Sequence, residues 1–302
     1  MKAIVLREYG GPEKLSYEDV ADPVAGEGQV LVRVTSASIN PVDYKLRSGA
    51  YKSFMPLTFP AILGNDFSGL VREVGAGVTG FAPGDKVMGV AGSSYAELVA
   101  ANADAITKVP EGLDPVEAAA LPVVTMTGEQ LIRLGTRIQK GQTVLVTGAL
   151  GSVGRSAIWT AKKTGAVVIA GVRGSQVKAA SVLGADQILA LDDASAMEKL
   201  GFVDAVADVV GGPTGEKLLG KVKPGGIFAS VLGDPANAKL HPKIQVNSVV
   251  MHPDAGRLRT LAEDVATGRL VIPIDRMVPL DEVAQAHAAA EKGGVGKILL
   301  LA

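Results

Sequence analysis

The chain has 302 residues, room for about two domains at roughly 150 residues each. Hydrophobic residues make up 47% and charged residues 20%, which excludes a disordered chain. Thirty basic against thirty-one acidic residues leave a net charge of −1 and no broad basic field for nucleic acid or an acidic membrane. Cysteine is absent, which removes disulfides, thiolate catalysis, iron–sulfur clusters and cysteine-ligated zinc. Three histidines, His241, His252 and His287, offer little for a histidine metal centre.

The apolar run in Met1–Arg7 is too short for a signal peptide, and no window holds 18 uncharged apolar residues. A soluble cytoplasmic protein with no transmembrane helix is expected. The first hundred residues are β-rich, with short β-branched runs at 3–6, 29–35, 69–74 and 86–90. Turn signals at Gly75-Ala76-Gly77 and Ala82-Pro83-Gly84-Asp85 punctuate them, a pattern of a partly open barrel or sandwich. Asp114-Pro115 reads as a cap followed by proline at the first helical position, opening a helical stretch that Pro122 interrupts before about Leu134. Beyond it, apolar strands at 143–147, 167–171, 187–190, 205–209 and 227–231 alternate with amphipathic segments, the first being a helix over 152–163. That alternation predicts parallel β-α-β units. Trp159 is expected to pack in the core from this helix, and His287 to be structural within its apolar stretch. A strand-like segment, 296–301, ends the chain.

The strand Thr143–Val146 runs into Thr147-Gly148-Ala149-Leu150-Gly151-Ser152-Val153-Gly154, with Gly148, Gly151 and Gly154 at three-residue spacing. Small residues there serve a tight turn, close approach of a pyrophosphate and close helix–strand packing, while the helix N-terminus offers N–H groups to phosphates. At the end of the next strand an NAD site usually carries an acid. This chain has Arg173, Ser175 and Lys178 instead, which suit the 2′-phosphate of NADPH.

Ordered motifs along the whole chain resemble the zinc-free, zeta-crystallin-like quinone oxidoreductases of the medium-chain dehydrogenase/reductase superfamily. They are Ile39-Asn40-Pro41-Val42-Asp43-Tyr44-Lys45-Leu46-Arg47-Ser48-Gly49, Gly64-Asn65-Asp66-Phe67-Ser68-Gly69, Val74-Gly75-Ala76-Gly77-Val78, Pro83-Gly84-Asp85-Lys86-Val87, Tyr95-Ala96-Glu97, Ala120-Leu121-Pro122, the glycine turn, Pro224-Gly225-Gly226 and Gly296-Lys297-Ile298. The resemblance implies an α/β fold: a Rossmann doubly wound parallel sheet over 113–266, plus a GroES-like partly open β-barrel from 1–112 and 267–302. It places the active site in the cleft between the two. Zinc-dependent relatives would have a catalytic cysteine at Asn40, a histidine at Asn65 and a third ligand near Val123. The loop for a second, structural zinc is missing where 90–93 runs into Tyr95, so no metal is expected.

The implied chemistry is hydride transfer from NADPH to a quinone or an α,β-unsaturated carbonyl, with donors stabilising the developing oxyanion. Catalytic candidates are Asn40, Lys45 as oxyanion stabiliser, Tyr51 as proton donor, Tyr44 as a second phenol, and Asp43 as an orienting group. Cofactor candidates are Asn40, Thr127, Gly148, Ala149, Gly151, Ser152, Val153, Gly154, Arg173, Ser175, Lys178, Val210, Gly211, Leu232, Gly233 and Lys297. Departures from the family are Ser152 in place of a common glycine and Leu191 where several relatives carry a tyrosine. Rival readings are an enoyl-thioester reductase, which Tyr51 favours, and a non-catalytic NADPH-binding sensor. A homodimer is implied, joined through the edge of the Rossmann sheet, for which 227–231 is apolar enough. Neither nucleic acid nor membrane is expected as a partner.

Overall fold

A computed structural model describes residues 1–293 and 296–302, and the chain divides into two compact units. The first comprises Met1–Val123 with Pro253–Ala302, and the second Val124–His252. The expected division put 113–123 and 253–266 with the second unit. Both belong to the first. The turn Glu117–Ala120, with three fully buried alanines, packs on strands of the first unit, and so does the helix following Pro253.

The first unit begins with β1 (Lys2–Leu6), β2 (Leu15–Asp19) and β3 (Gln29–Ser38). Helix α1 (Pro41–Arg47) follows, then β4 (Ala61–Ile62), β5 (Asp66–Val74), β6 (Lys86–Val90), β7 (Leu98–Asn102) and β8 (Ile106–Lys108). A small sheet runs β2-β1-β4. In the larger one, β3 pairs along its length with antiparallel β5, which continues to β6 and β8. On the opposite edge, β7 pairs with residues 29–33 of β3.

Helix α2 (Pro122–Gln130) then leads into the second unit and continues as a π-helical turn, Leu131–Thr136. Next come β9 (Thr143–Val146), α3 (Ser152–Thr164), β10 (Val167–Val172), α4 (Val177–Ala180), β11 (Gln187–Ala190) and α5 (Ala194–Lys199). The unit closes with β12 (Val203–Asp208), α6 (Gly212–Leu219), β13 (Val222–Ser230) and β14 (Gln245–Ser248). The six strands are all parallel, in the order β11-β10-β9-β12-β13-β14. Counted from β9 this is 3-2-1-4-5-6, the Rossmann arrangement, whose direction of winding reverses between β9 and β12. Helices cover both faces, so the central strands read as continuous apolar runs: Val144, Leu145 and Val146 are fully buried. Gly154 permits the close helix–turn contact, because a Cβ there would stand 2.3 Å from the Gly148 carbonyl oxygen.

Back in the first unit, α7 (Ala255–Ala266), β15 (Ile274–Pro279), α8 (Val283–Glu291) and β16 (Lys297–Leu301) complete the chain. β16 pairs antiparallel with Ser36–Ser38, filling the edge of β3 that β7 leaves open. This return was inferred from resemblance, since nothing in composition requires it.

Three local readings differ. The sheet edge lies at β14, because Gln245–Ser248 pairs outside Ile227–Ser230. Trp159 is half-exposed, with Lys163 Nζ 5.6 Å from its ring centre; α3 turns Gly154, Ala157, Ile158 and Ala161 inward instead. Asp114 does cap backbone N–H groups, those of Val116 and Glu117, but over a turn that leads to the 3-10 segment Glu117–Ala120. Among the described residues no helix is long and apolar enough to cross a membrane.

Candidate active site

β3 ends at Ser38, and the chain turns into α1 through Asn40, an extended N-cap residue followed by Pro41 at the first helical position. Asp43, in the first turn, accepts the Asn40 N–H at 2.7 Å. The Asn40 carboxamide does not cap the helix. Its Nδ2 donates to Asp66 Oδ2 at 2.7 Å, and its Oδ1 accepts from Lys297 Nζ at 2.8 Å. A residue type suited to helix capping is here diverted into a buried cluster.

Asp66, at the start of β5, is the hub. It accepts from Ser38 Oγ, Asn40 Nδ2 and the Val123 N–H, each at 2.7 Å, with Lys297 Nζ at 3.5 Å. Lys297, at the start of β16, also donates to the Ile39 carbonyl at 3.0 Å. Burial lowers its pKa, opposed by the Asp66 and Asp43 carboxylates. Its three donors all face groups of this cluster.

Asp43 is fully buried and accepts from Asn40 N, from Tyr95 Oη at 2.9 Å and from Asn65 Nδ2 at 3.0 Å. Burial pushes its carboxyl up to about 6, against the pull of those hydrogen bonds. Behind Tyr95, His287 Nε2 stands 3.3 Å from the phenol oxygen and Nδ1 3.4 Å from an Arg47 Nη, and Arg47 pairs with Glu291. Burial holds the imidazole down to about 3, with the Arg47 charge adding to it, so it is neutral near pH 7. Gly64, at φ +93°, lets Tyr95 sit this close: a Cβ would lie 2.4 Å from the ring.

The other catalytic candidates fall on and just after α1. Lys45 Nζ donates to Tyr51 Oη at 3.0 Å, and both side chains are half-buried. Tyr44 is half-buried too, and its hydroxyl has no hydrogen bond among the described residues. Burial, then the Glu291 charge, raises its pKa.

In the second unit the C-terminal ends of the strands are braced by one carboxylate. Asp208 is buried at the end of β12 and accepts from Thr147 Oγ1 at 2.8 Å and Ser230 Oγ at 2.9 Å. It also accepts from the N–H groups of Val210 and Gly211 at 3.1–3.2 Å. Thr147 Oγ1 in turn accepts the Val209 N–H, and Ser230 Oγ that of Leu232. These bonds shape the loops at 209–212 and 231–233 beside the switch point of the sheet. Val210 and Leu232 are left 48% and 43% exposed there.

Gly148 takes a left-handed φ of +57°, Ala149 is buried, and Gly151 caps α3 with no side chain on its N-terminus. The first-turn N–H groups of Ser152 and Val153 are thus free of a side-chain cap. Thr127 is half-buried on α2. Arg173, Ser175 and Lys178 are all exposed after β10. Asp192, from the end of β11, also reaches this loop and accepts the Gly174 N–H at 2.6 Å, a carboxylate that a linear reading of the segment does not count.

Two family models match: the alcohol dehydrogenase GroES-like domain over residues 26–111, and the zinc-binding dehydrogenase model over 183–300. A chloroplast envelope quinone oxidoreductase homolog of Arabidopsis thaliana is 30% identical over 99% of this chain and 98% of its own length. The quinone oxidoreductase of Homo sapiens is 28% identical over 100% and 98%. The solved structure of the Coxiella burnetii quinone oxidoreductase superposes with a TM-score of 0.90 at 32% identity, covering 100% of this chain and 99% of that one. The chain belongs to the quinone oxidoreductase family of the medium-chain dehydrogenase/reductase superfamily. It is an oxidoreductase of a family that works with a nicotinamide cofactor.

Several buried polar residues in the two units escape sequence reasoning. Asp208 and Ser230 lie in apolar strands with no motif around them. Arg47 sits within a recognised motif, yet only folding shows that it is 2% exposed and points at His287. At the positions where zinc relatives hold their ligands, Asn40 Nδ2 and Val123 N both donate to Asp66, and Asn65 Nδ2 donates to Asp43. Among the described residues no three His, Cys, Asp or Glu side chains are grouped to hold a metal.

Proposed function

We propose that this protein is a zinc-independent, NADPH-dependent reductase of quinones or α,β-unsaturated carbonyls. The observation that supports the reading is the donor arrangement around Asp66: Asn40 Nδ2 and the Val123 N–H both donate to it, a setting that suits a carbonyl acceptor polarised by protein groups.

The strand-end crevice of the second unit fits a dinucleotide. An uncapped N-terminus of α3 suits the pyrophosphate, with Gly148, Ala149, Gly151, Ser152, Val153 and Gly154 forming the turn. The exposed apolar side chains of Val210 and Leu232, with Gly211 and Gly233, suit a ring face. Arg173, Ser175 and Lys178 offer charge and hydroxyl to a 2′-phosphate, beside the Asp192 carboxylate, whose Oδ1 accepts the Gly174 N–H. NADPH, when bound, supplies the hydride.

The remaining work falls to the chain. Asn40 keeps one Nδ2 proton beyond its bond to Asp66, and its amide is fixed on both ends by Asp66 and Lys297. It is therefore a pre-set donor for a carbonyl oxygen. Lys45 donates to the Tyr51 oxygen, which leaves the phenol proton to be given away. Tyr51 protonates the reduced product while Lys45 offsets the charge left on the phenol oxygen. A quinone needs its proton on oxygen, whereas an enone needs one on carbon, so Tyr51 matters more for the second class. Tyr44 and Thr127 line the respective ends as half-buried contacts. The unpaired outer edge of β14 is the surface for a second copy in a homodimer, which sedimentation analysis checks.

The test is NADPH oxidation with a panel of quinones, enones and enals, followed at the nicotinamide absorbance with and without a strong chelator. Turnover that the chelator spares, with NADPH at least tenfold preferred over NADH in kcat/KM, is expected. No turnover on any acceptor, or loss on chelation, overturns the reading.

A further inference from the structure

We propose that Arg47, His287 and Tyr95 are positioning residues forming a one-way chain of hydrogen-bond donors that ends on Asp43, and that this chain fixes the carboxylate which holds Asn40 and Asn65. The direction follows from what each group is able to do. A guanidinium only donates. Arg47 Nε donates to the Gly10 carbonyl at 3.1 Å, one Nη pairs with Glu291, and the other faces His287 Nδ1 at 3.4 Å. Nδ1 must therefore be the accepting nitrogen. In the neutral imidazole the proton then lies on Nε2, which donates to Tyr95 Oη at 3.3 Å. The Tyr95 oxygen is thus already an acceptor, and its own proton goes to Asp43 Oδ2 at 2.9 Å.

Asp43 has nothing to donate as a carboxylate, and it closes the chain. Oδ2 also takes the Asn40 N–H, and Oδ1 takes Asn65 Nδ2 at 3.0 Å. A chain of the opposite sense would need Arg47 to accept. All four members are buried: Arg47 is 2% exposed, and His287, Tyr95 and Asp43 are 0%. Water cannot rescue a mismatched link there, so one wrong proton would leave two donors facing each other.

The charged groups facing Asp43 from neighbouring elements are Asp66 on β5 and Lys297 on β16. Those facing His287 are Arg47 on α1 and Glu291 on its own helix. When Asp43 is protonated, its new O–H opposes the Asn65 N–H or the Tyr95 O–H. Asn65 must then turn its amide over, and that residue is only half-buried. Protonation of Asp43 thereby changes which atom Asn65 presents outward.

The closing experiment uses the full chain and needs no turnover. In 15N-histidine protein, long-range 1H–15N correlations report the tautomer, with His241→Gln and His252→Gln assigning the other two rings. His287 is expected as the neutral Nε2–H form from pH 7 to pH 5. An Nδ1–H form or an imidazolium in that range overturns the chain. Arg47→Lys keeps a pure donor and should keep the tautomer, while Arg47→Gln, able to accept, should admit the Nδ1–H form.

For the Asp43 end, the carboxyl 13C shift is followed against pH in the parent and in Tyr95→Phe, which removes only the hydroxyl. The midpoint should rise by about one unit without that donor. An unchanged midpoint overturns the link to Asp43. The bearing on catalysis rests on the reductase reading: the acid limb of kcat/KM should follow the Asp43 midpoint and move with it in Tyr95→Phe. A limb that stays put while the carboxyl moves overturns the positioning role, whereas absence of turnover in the parent overturns only the reductase reading.

Discussion

Asp66 in the first unit and Asp208 in the second are both buried at a strand end, and the two are satisfied by different chemistry. Asp66 shares its cluster with a buried ammonium, Lys297, and with the titratable neighbours Asp43, Tyr95 and His287. Among the described residues Asp208 is met by two hydroxyls and two main-chain N–H groups and by no cation. The second arrangement shapes loops, because every donor is either on a strand-end loop or on the strand beside it. The first fixes the orientation of two asparagine amides, and charge is part of how it does so. A hydride acceptor that develops negative charge calls for the first kind of site, and a dinucleotide held by main-chain groups calls for the second.

The sharpest way to separate them is pH. His287 has a folded pKa of about 3 against an ordinary 6.5. Between those values the unfolded chain holds the extra proton, so stability present above pH 6.5 is lost as pH falls, in total roughly 5 kcal/mol. Asp43, raised to about 6, has the opposite sign: its contribution is complete below the unfolded value near 4 and is lost as pH rises through 6, roughly 3 kcal/mol. The two slopes oppose each other between pH 4 and 6, and below pH 4 only the histidine acts. Urea unfolding across this range should therefore be nearly flat from these groups above pH 4 and fall below it. Asp43→Asn should expose the histidine slope between pH 4 and 6. A variant as flat as the parent there would contradict both assignments.

Lys297→Met should come next in size. It leaves Asp66 buried without its cation, at a cost of about 3–5 kcal/mol in the urea midpoint. Adding Asp66→Asn should restore part of the loss, because the uncompensated charge is gone. If the double variant is no better than the single one, charge pairing is not what Lys297 supplies.

Asp208→Ala should have the smaller effect, about 2–3 kcal/mol, from hydroxyl and N–H donors left unpaired. This loss should hold constant from pH 5 to 8, and NADPH affinity should weaken through the displaced loops at 209–212 and 231–233. A strongly pH-dependent loss would place a charge partner beside Asp208 and erase the contrast between the units.

Much of this was legible before folding. The central parallel strands are readable because burial on both faces makes them continuous apolar runs, and β10 and the less buried β11 are both legible to within a residue of their bounds. The glycine turn was readable because only small residues tolerate its backbone. Asp43 stands out within its motif, and the fold brings it to the Asn40 N–H and the Asn65 carboxamide. Trp159 escapes the inward face of α3 because that face is carried by the smaller Gly154, Ala157, Ile158 and Ala161. The sheet edge was misplaced because Gln245–Ser248 is polar enough to pass for a loop, as an edge strand is allowed to be.

What sequence by itself determined is the inventory: no thiol, few histidines, a Gly-rich turn, and asparagines at positions 40 and 65. These are local facts of residue type and spacing. Only the tertiary structure decided that Lys297 turns inward to Asp66, that Arg47 reaches His287 across 240 positions of sequence, and that Asp208 gathers three strand ends. Each depends on which distant segments share a buried space. There a polar group must find its partner within the protein because water is absent, and no local pattern records that partner's position.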